Sequence, residues 1–141
     1  MSTQPFIDSA AYYLHSDQAA ITTFTYSYNN LVSLATASKL RNVGPARVRD
    51  MRTLNQNFQI LSHVPIDAPP RTCQKINDML HSSIVTNPTR FAALALLPSR
   101  DGKETNAELL RCVTKYHFVG GVLGFRGGDI TQFDGEVWDE V

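Results

Sequence analysis

Five side chains in this 141-residue chain stand where chemistry could be done: His63, Ser99, Arg100, Arg126 and Asp129. Each lies shortly after a hydrophobic run, those runs ending at Leu61, Leu97 and Leu123. In parallel α/β proteins ligands bind beyond the carboxyl ends of the strands, which is why these positions are singled out. A histidine there can act as a general base or a ligand, since its ordinary pKa lies near neutrality, although a lone histidine after a strand is more often a hydrogen-bonded loop residue. Arg126 could grip a carboxylate with two parallel N–H donors, and Asp129 stands three residues on. The commoner role of such an arginine is a solvated loop residue.

Other chemistries find less support. Gly120-Gly121 and Gly127-Gly128 lack both the G-x-G-x-x-G spacing and the Walker pattern of a phosphate cradle. His81 falls within an expected helix, His117 precedes a strand, and His15 lies in a stretch without clear periodicity. H-x-H, H-E-x-x-H, C-x-x-C and G-x-S-x-G are all absent. No cofactor or metal ligand is expected from the residues alone.

The elements that would position these residues are best read in the second half. Phe58–Leu61 is a short strand closed by His63-Val64-Pro65. Cys73, Ile76, Leu80 and Ile84 recur at steps of three and four, forming one face of a helix that opens after Pro69-Pro70 and stops at Asn87-Pro88. Phe91–Leu97 is continuously apolar, as a strand covered on both faces should be. Asp101 with Glu104 resembles a capping box, and opens a helix expected to bury Leu109, Cys112, Val113 and Tyr116. Phe118–Leu123 is the next strand, its paired glycines implying close backbone approach.

Strand, helix and strand in that order demand a right-handed crossover between parallel strands, so the class is α/β with parallel βαβ units. Upstream, Pro45 is suited to open a helix burying Val48, Met51 and Leu54. Ile21–Tyr28 could be a strand and Leu31–Leu40 a short helix, but residues 1–44 form the least defined part of what is expected to be one domain, with residues 45–141 carrying the βαβαβ pattern.

Composition narrows the partners. With 13 basic and 13 acidic residues there is no basic field to hold nucleic-acid phosphates, and no apolar run approaches the roughly 20 residues of a membrane span. The start lacks the charged and apolar regions of a secretory leader. Cys73 and Cys112 sit among apolar neighbours, a pattern that fits reduced thiols and a cytoplasmic location.

From about Asp50 onward several pieces recur in an order and spacing that resembles one family. They are Phe58-Gln-Ile-Leu-Ser62, Ile76-Asn-Asp-Met-Leu80, Asn87-Pro-Thr-Arg-Phe-Ala92 running into Ala95-Leu-Leu-Pro98, Glu108-Leu-Leu-Arg-Cys-Val113, Phe118-Val-Gly-Gly121 and Phe133-Asp-Gly-Glu136. Together they resemble the amidohydrolase-related decarboxylases, the group of the resorcylate, carboxyvanillate and aminocarboxymuconate semialdehyde enzymes. The resemblance implies a distorted (β/α)₈ barrel, of which this chain would form a part, since a complete barrel needs about 250 residues. It also implies removal of a carboxylate from an aromatic or related acid, helped by a divalent metal such as zinc or manganese.

The family's metal ligands lie on the first strand and on late strands. Phe6-Ile-Asp-Ser-Ala-Ala-Tyr12 stands about where the first strand should be. If Asp8 matches the motif aspartate, Ala10 and Tyr12 occupy the histidine positions, and no ligand carries over. Three functions are therefore expected to compete: a shortened decarboxylase inactive alone, a non-catalytic module pairing with a full-length relative or in a homo-oligomer, and a small α/β domain with a ligand site at His63, Arg126 and Asp129.

Overall fold

The computed structural model describes residues 6–15, 33–124 and 138–139. The order of elements is β1 (Phe6–Tyr13), α1 (Leu34–Arg41), α2 (Pro45–Thr53), β2 (Gln56–His63), α3 (Pro70–Ile84), β3 (Phe91–Leu97), α4 (Gly102–Tyr116) and β4 (Gly121–Leu123). The strands form one parallel sheet in the order β1-β2-β3-β4, so each crossover helix links neighbours, as the alternating pattern requires. The expected strand at Ile21–Tyr28 lies outside the described residues.

Local chemistry accounts for the boundaries. Ser33 caps α1, its hydroxyl accepting from the Thr36 N–H at 3.1 Å. Pro45 sits in the first turn of α2, where its missing N–H is not needed. Asp101 caps α4 by accepting from the Lys103 N–H at 2.8 Å. His117 ends that helix in the left-handed conformation, with φ at 56°.

Three expectations need correction. Leu54 is 67% exposed rather than buried with Val48 and Met51. It lies past the end of α2, and Asn55 beyond it turns left-handed, which carries Leu54 away from the core. Val113 is exposed on α4; the buried stripe there runs through Thr105, Glu108 and Cys112, with Leu109 and Tyr116 partly buried beside it. β4 is only three residues long, because Phe118–Gly120 approach the sheet outside regular pairing.

Register divides the sheet into two faces. Gln59, Leu61 and His63 of β2 align with Phe91 and Ala93 of β3 and with Ala11 and Tyr13 of β1. This face meets the helices: Arg47 of α2 donates to the Gln59 side chain at 2.8 Å, and Leu80, Ile84 and Cys112 pack with Phe91, Ala93, Ala95 and Leu97. The opposite face carries Tyr12, Phe58, Ile60, Ser62, Leu94 and Val122.

A bulge interrupts β1. Asp8 pairs with Gln59 and Ala11 with Leu61, so three steps on β1 match two on β2. The Asp8 carboxylate accepts from the Ala10 N–H inside the bulge at 3.1 Å. The extra residue moves Asp8 to the helix face while Tyr12 stays on the other. The i, i+2, i+4 alignment of Asp8, Ala10 and Tyr12 on one face is therefore not what the strand presents.

The central packing device is polar. β2 pairs with β3 only as far as Leu94, and past that point Asn77 of α3 bonds the β3 backbone. Its amide donates to the Leu96 carbonyl at 2.9 Å and accepts from the Leu96 N–H at 2.8 Å. The same amide nitrogen donates to Glu108 at 2.7 Å. Glu108, only 3% exposed, receives two further bonds from Arg111, which also reaches Asp78 at 2.8 Å and the Tyr116 hydroxyl. These contacts raise the Arg111 pKa, the Glu108 bonds acting most strongly. Burial pushes the Asp78 pKa up, but bonds from Tyr116 and Arg111 outweigh it and hold the carboxyl below its ordinary value.

Two glycines permit close approach. A Cβ on Gly121 would stand 2.5 Å from Leu97 Cδ1, and one on Gly124 would overlap the Ile66 carbonyl group. The closeness expected of the Gly120-Gly121 pair is thus present at Gly121.

Replacing Asn77 by alanine removes the partners of two buried backbone groups and one carboxylate bond. The expected loss is roughly 2–4 kcal/mol of stability, read as a lower urea midpoint at unchanged slope. A midpoint within error of wild type would show that Leu96 finds other partners.

Candidate functional site

The carboxyl ends of the strands gather three sets of residues. β1 runs out through Tyr13 into buried Leu14 and His15, and β2 ends on fully buried His63. The Tyr13 ring stands edge-on between the two imidazoles, 6.5 Å from His15 and 5.9 Å from His63 by ring centroid. Burial pushes the Tyr13 phenol up to about 12, so it stays protonated.

His63 is held in one tautomer. Its Nδ1 lies 2.7 Å from the Val64 carbonyl, which can only accept, so Nδ1 carries the hydrogen and Nε2 keeps a lone pair. That Nε2 has no hydrogen-bond partner among the described residues. Burial lowers the His63 pKa to about 4; the Val64 carbonyl opposes this and the charge of His15 adds to it. The imidazole is therefore neutral at pH 7. By register it shares the helix face of β2 with Gln59 and Leu61.

Ser99 and Arg100 do come together, but on an internal partner. The Ser99 hydroxyl donates to Asp67 at 3.0 Å, and Arg100 grips the same carboxylate with Nε and Nη2, the latter at 2.9 Å. Asp67 belongs to the connection between β2 and α3. With Ile66 packed against Gly124, that connection lies across the ends of β3 and β4. Ser99 and Arg100 thus anchor a loop. Arg126 and Asp129 lie outside the described residues.

The remaining histidines are structural. His81 of α3 stacks on Tyr116 of α4 with centroids 4.1 Å apart, and His117 closes α4. Sequence reasoning passed over Tyr13, His15 and Asp67. The signal for the first two was the end of the β1 pattern at Tyr13, which puts His15 two residues beyond a strand; nothing in the sequence marked Asp67 as the partner of Arg100.

Two imidazoles and a phenol do not make a divalent-metal site. Among the described residues no group of three or more His, Cys, Asp or Glu side chains is placed to hold one. The metal that the resemblance implies does not fit these residues by themselves. A cleft of about 350 Å³ runs along α2, between it, α1 and the first half of β2, lined by Lys39, Arg47, Asp50 and Met51 among others. It lies on the helix side, away from the strand ends.

The neutral, buried His63 has a pH signature. Its pKa rises from about 4 in the fold to about 6.5 on unfolding, so the unfolded chain binds more protons between those values. Stability from this group is complete above pH 6.5, declines as pH falls toward 4, and amounts to about 3 kcal/mol across the window. Denaturant unfolding at pH 7.5 and 5 should show wild type losing more than a His63→Leu variant. Equal losses would mean that His63 is not what titrates.

No family model matches the chain. Known proteins do. The decarboxylase orsB of Emericella nidulans is 36% identical over 107 residues, which is 73% of this chain and 32% of that protein. Among solved structures, the dihydroxybenzoic acid decarboxylase of Polaromonas sp. JS666, with bound manganese and the inhibitor 2-nitroresorcinol, superposes with a TM-score of 0.70 at 24% identity. The match covers 86% of this chain and 38% of that one. The 5-carboxyvanillate decarboxylase of Novosphingobium aromaticivorans, complexed with manganese and 4-hydroxy-3-methoxy-5-nitrobenzoic acid, gives 0.79 at 15% identity, covering 96% and 46%. The chain spans about a third of the curated relatives it matches. The four parallel strands among the described residues, with their helices, form part of a TIM-like barrel of the kind those structures have. In sequence and in fold, the relatives of this chain are amidohydrolase-related decarboxylases of the resorcylate and carboxyvanillate type, and it corresponds to the amino-terminal part of their barrel.

Proposed function

We propose that this chain is the first-half scaffold of a carboxy-lyase acting on an aromatic or related carboxylic acid, and that it is inactive alone. The observation that carries the reading is the 36% identity to a decarboxylase along 73% of the chain. The fold agrees, and two neighbours of that fold hold manganese together with a small aromatic molecule. The inactivity is proposed because the reaction class relies on a divalent ion to orient the acid and steady developing charge, while the described residues supply no set of three metal-binding side chains. His63 and His15 stand at the right end of the sheet, yet neither is assigned a catalytic role, since both border the buried Tyr13. No helix among the described residues is long and apolar enough to cross a membrane. The setting proposed is the cytoplasm, with a small aromatic acid as the ligand of the complete enzyme.

Two measurements test the proposal. The purified chain should bind no stoichiometric manganese and release no carbon dioxide from 2,6-dihydroxybenzoate; bound metal with turnover would refute the inactivity. A chimera carrying residues 56–124 in place of the matching segment of the Polaromonas decarboxylase should retain metal and turn over within roughly 100-fold of the parent, a loss of at most about 3 kcal/mol in transition-state stabilisation. A folded, metal-loaded but dead chimera would count against the shared reaction.

A further inference from the structure

We infer that the cleft along α2 is a binding site for a small carboxylate with an apolar body, the charged end meeting Arg47 and Gln56 and the body meeting Leu54. The inference rests on residues 38–59 and does not depend on the decarboxylase reading.

Arg47 is the group that points to an anion. It is half-buried and forms no ion pair among the described residues. Its partners are neutral: Nε donates to the Gln59 side chain at 2.8 Å, Nη2 to the Tyr12 carbonyl at 2.9 Å, and Nη1 to the Asn42 carbonyl at 3.4 Å. One N–H on each Nη is left over. Burial lowers the Arg47 pKa, and the charge of Asp8 opposes this without reversing it. A cation withdrawn from water and not neutralised by its own fold gains more from an arriving carboxylate than a solvated arginine does.

The hydrogen-bond chain that starts at Arg47 fixes which end of each neighbour faces the cleft. A guanidinium only donates, so the Gln59 atom beside it is the amide oxygen, and the Gln59 nitrogen is free to donate onward. That nitrogen donates to Gln56 Oε1 at 2.8 Å. The Gln56 nitrogen then ends the chain, with no acceptor among the described residues. What remains unused at the cleft is a set of donors, from Arg47 and Gln56, and the Lys39 ammonium lines it too. Asp50 is the one acid among the lining residues, so the two cations outnumber it.

The rest of the wall calls for an apolar body. Leu40 and Met51 line the cleft, and so does Leu54, the leucine that the core leaves 67% exposed. A volume of about 350 Å³, walled by apolar side chains with a few converging polar groups, has the make-up of a small-molecule site. Phosphate alone would leave Leu54 unmatched, which favours an organic acid. Every lining residue comes from α1, α2, their connection or the chain from α2 into β2, so one short stretch builds the whole site.

Titration of the chain with benzoate, followed by amide NMR, should shift the signals of Arg47, Gln56 and Gln59 and leave those around His63 in place. Benzamide has the same shape without the charge, and should bind at least about tenfold more weakly, the loss expected when a charge-assisted hydrogen bond becomes a neutral one. Inorganic phosphate at the same concentration should shift none of the three. Gln56→Glu keeps the acceptor for Gln59 and sets a second carboxylate against the ligand, so benzoate affinity should fall at least about tenfold with the circular dichroism spectrum unchanged. If that variant does not fold, Leu54→Asp brings the same charge to the cleft from a side chain outside the core. No shifts up to about 10 mM benzoate overturn the inference. So do shifts centred on His63, equal binding of benzamide, or phosphate reproducing the benzoate shifts.

Discussion

Beyond Leu94 the main chain of β3 has no strand beside it on the β2 side, and the carboxamide of Asn77 takes that strand's place. A side chain with one donor end and one acceptor end is the smallest group that can do so, since the N–H and C=O of Leu96 project the same way. Everything around Asn77 serves its orientation. Glu108 accepts its second amide hydrogen, Arg111 neutralises Glu108, and Asp78 with Tyr116 fix Arg111 from the solvent side. A buried carboxylate is costly to desolvate even beside a half-buried guanidinium, and such pairs are weak sources of stability. Their worth here is positional: α3 and α4 can meet β3 in only one arrangement that leaves no member of the network unsatisfied.

That network gives a structural role to one of the pieces that resemble the family. In the fold Glu108, Arg111 and Cys112 of Glu108-Leu-Leu-Arg-Cys-Val113 form the joint between two helices and the sheet. Asn87-Pro-Thr-Arg-Phe-Ala92 is likewise architectural, with Arg90 donating to the Asn57 carbonyl and Phe91 entering the core. These residues mark how this part of the barrel is built.

The fold was legible where burial imposed a period. Cys73, Ile76, Leu80 and Ile84 met the core as their spacing required, and the unbroken run Phe91–Leu97 became a strand buried at every position except the half-buried Ala92 and Leu94. It was illegible where the period broke. The β1 bulge cannot be read from alternation because it is a departure from alternation, and it moved Asp8 off the face that Tyr12 occupies. Leu54 and Val113 failed for a simpler reason: a helix shows the right spacing past the point at which it ends or turns its face outward. The site was less legible than the fold. Position after a strand correctly drew attention to His63, Ser99 and Arg100, but only coordinates show that Asp67 has already taken two of them.

Cys73 and Cys112 lie wholly inside this structure, and burial pushes both thiols up to about 12. At neutral pH the reactive thiolate is then roughly one part in 10⁵, and attack on a disulfide or peroxide proceeds through that form. Burial and a raised pKa thus work together to make both sulfurs slow nucleophiles while the chain is folded. Their reactivity is then set by how often the core opens rather than by the thiols themselves.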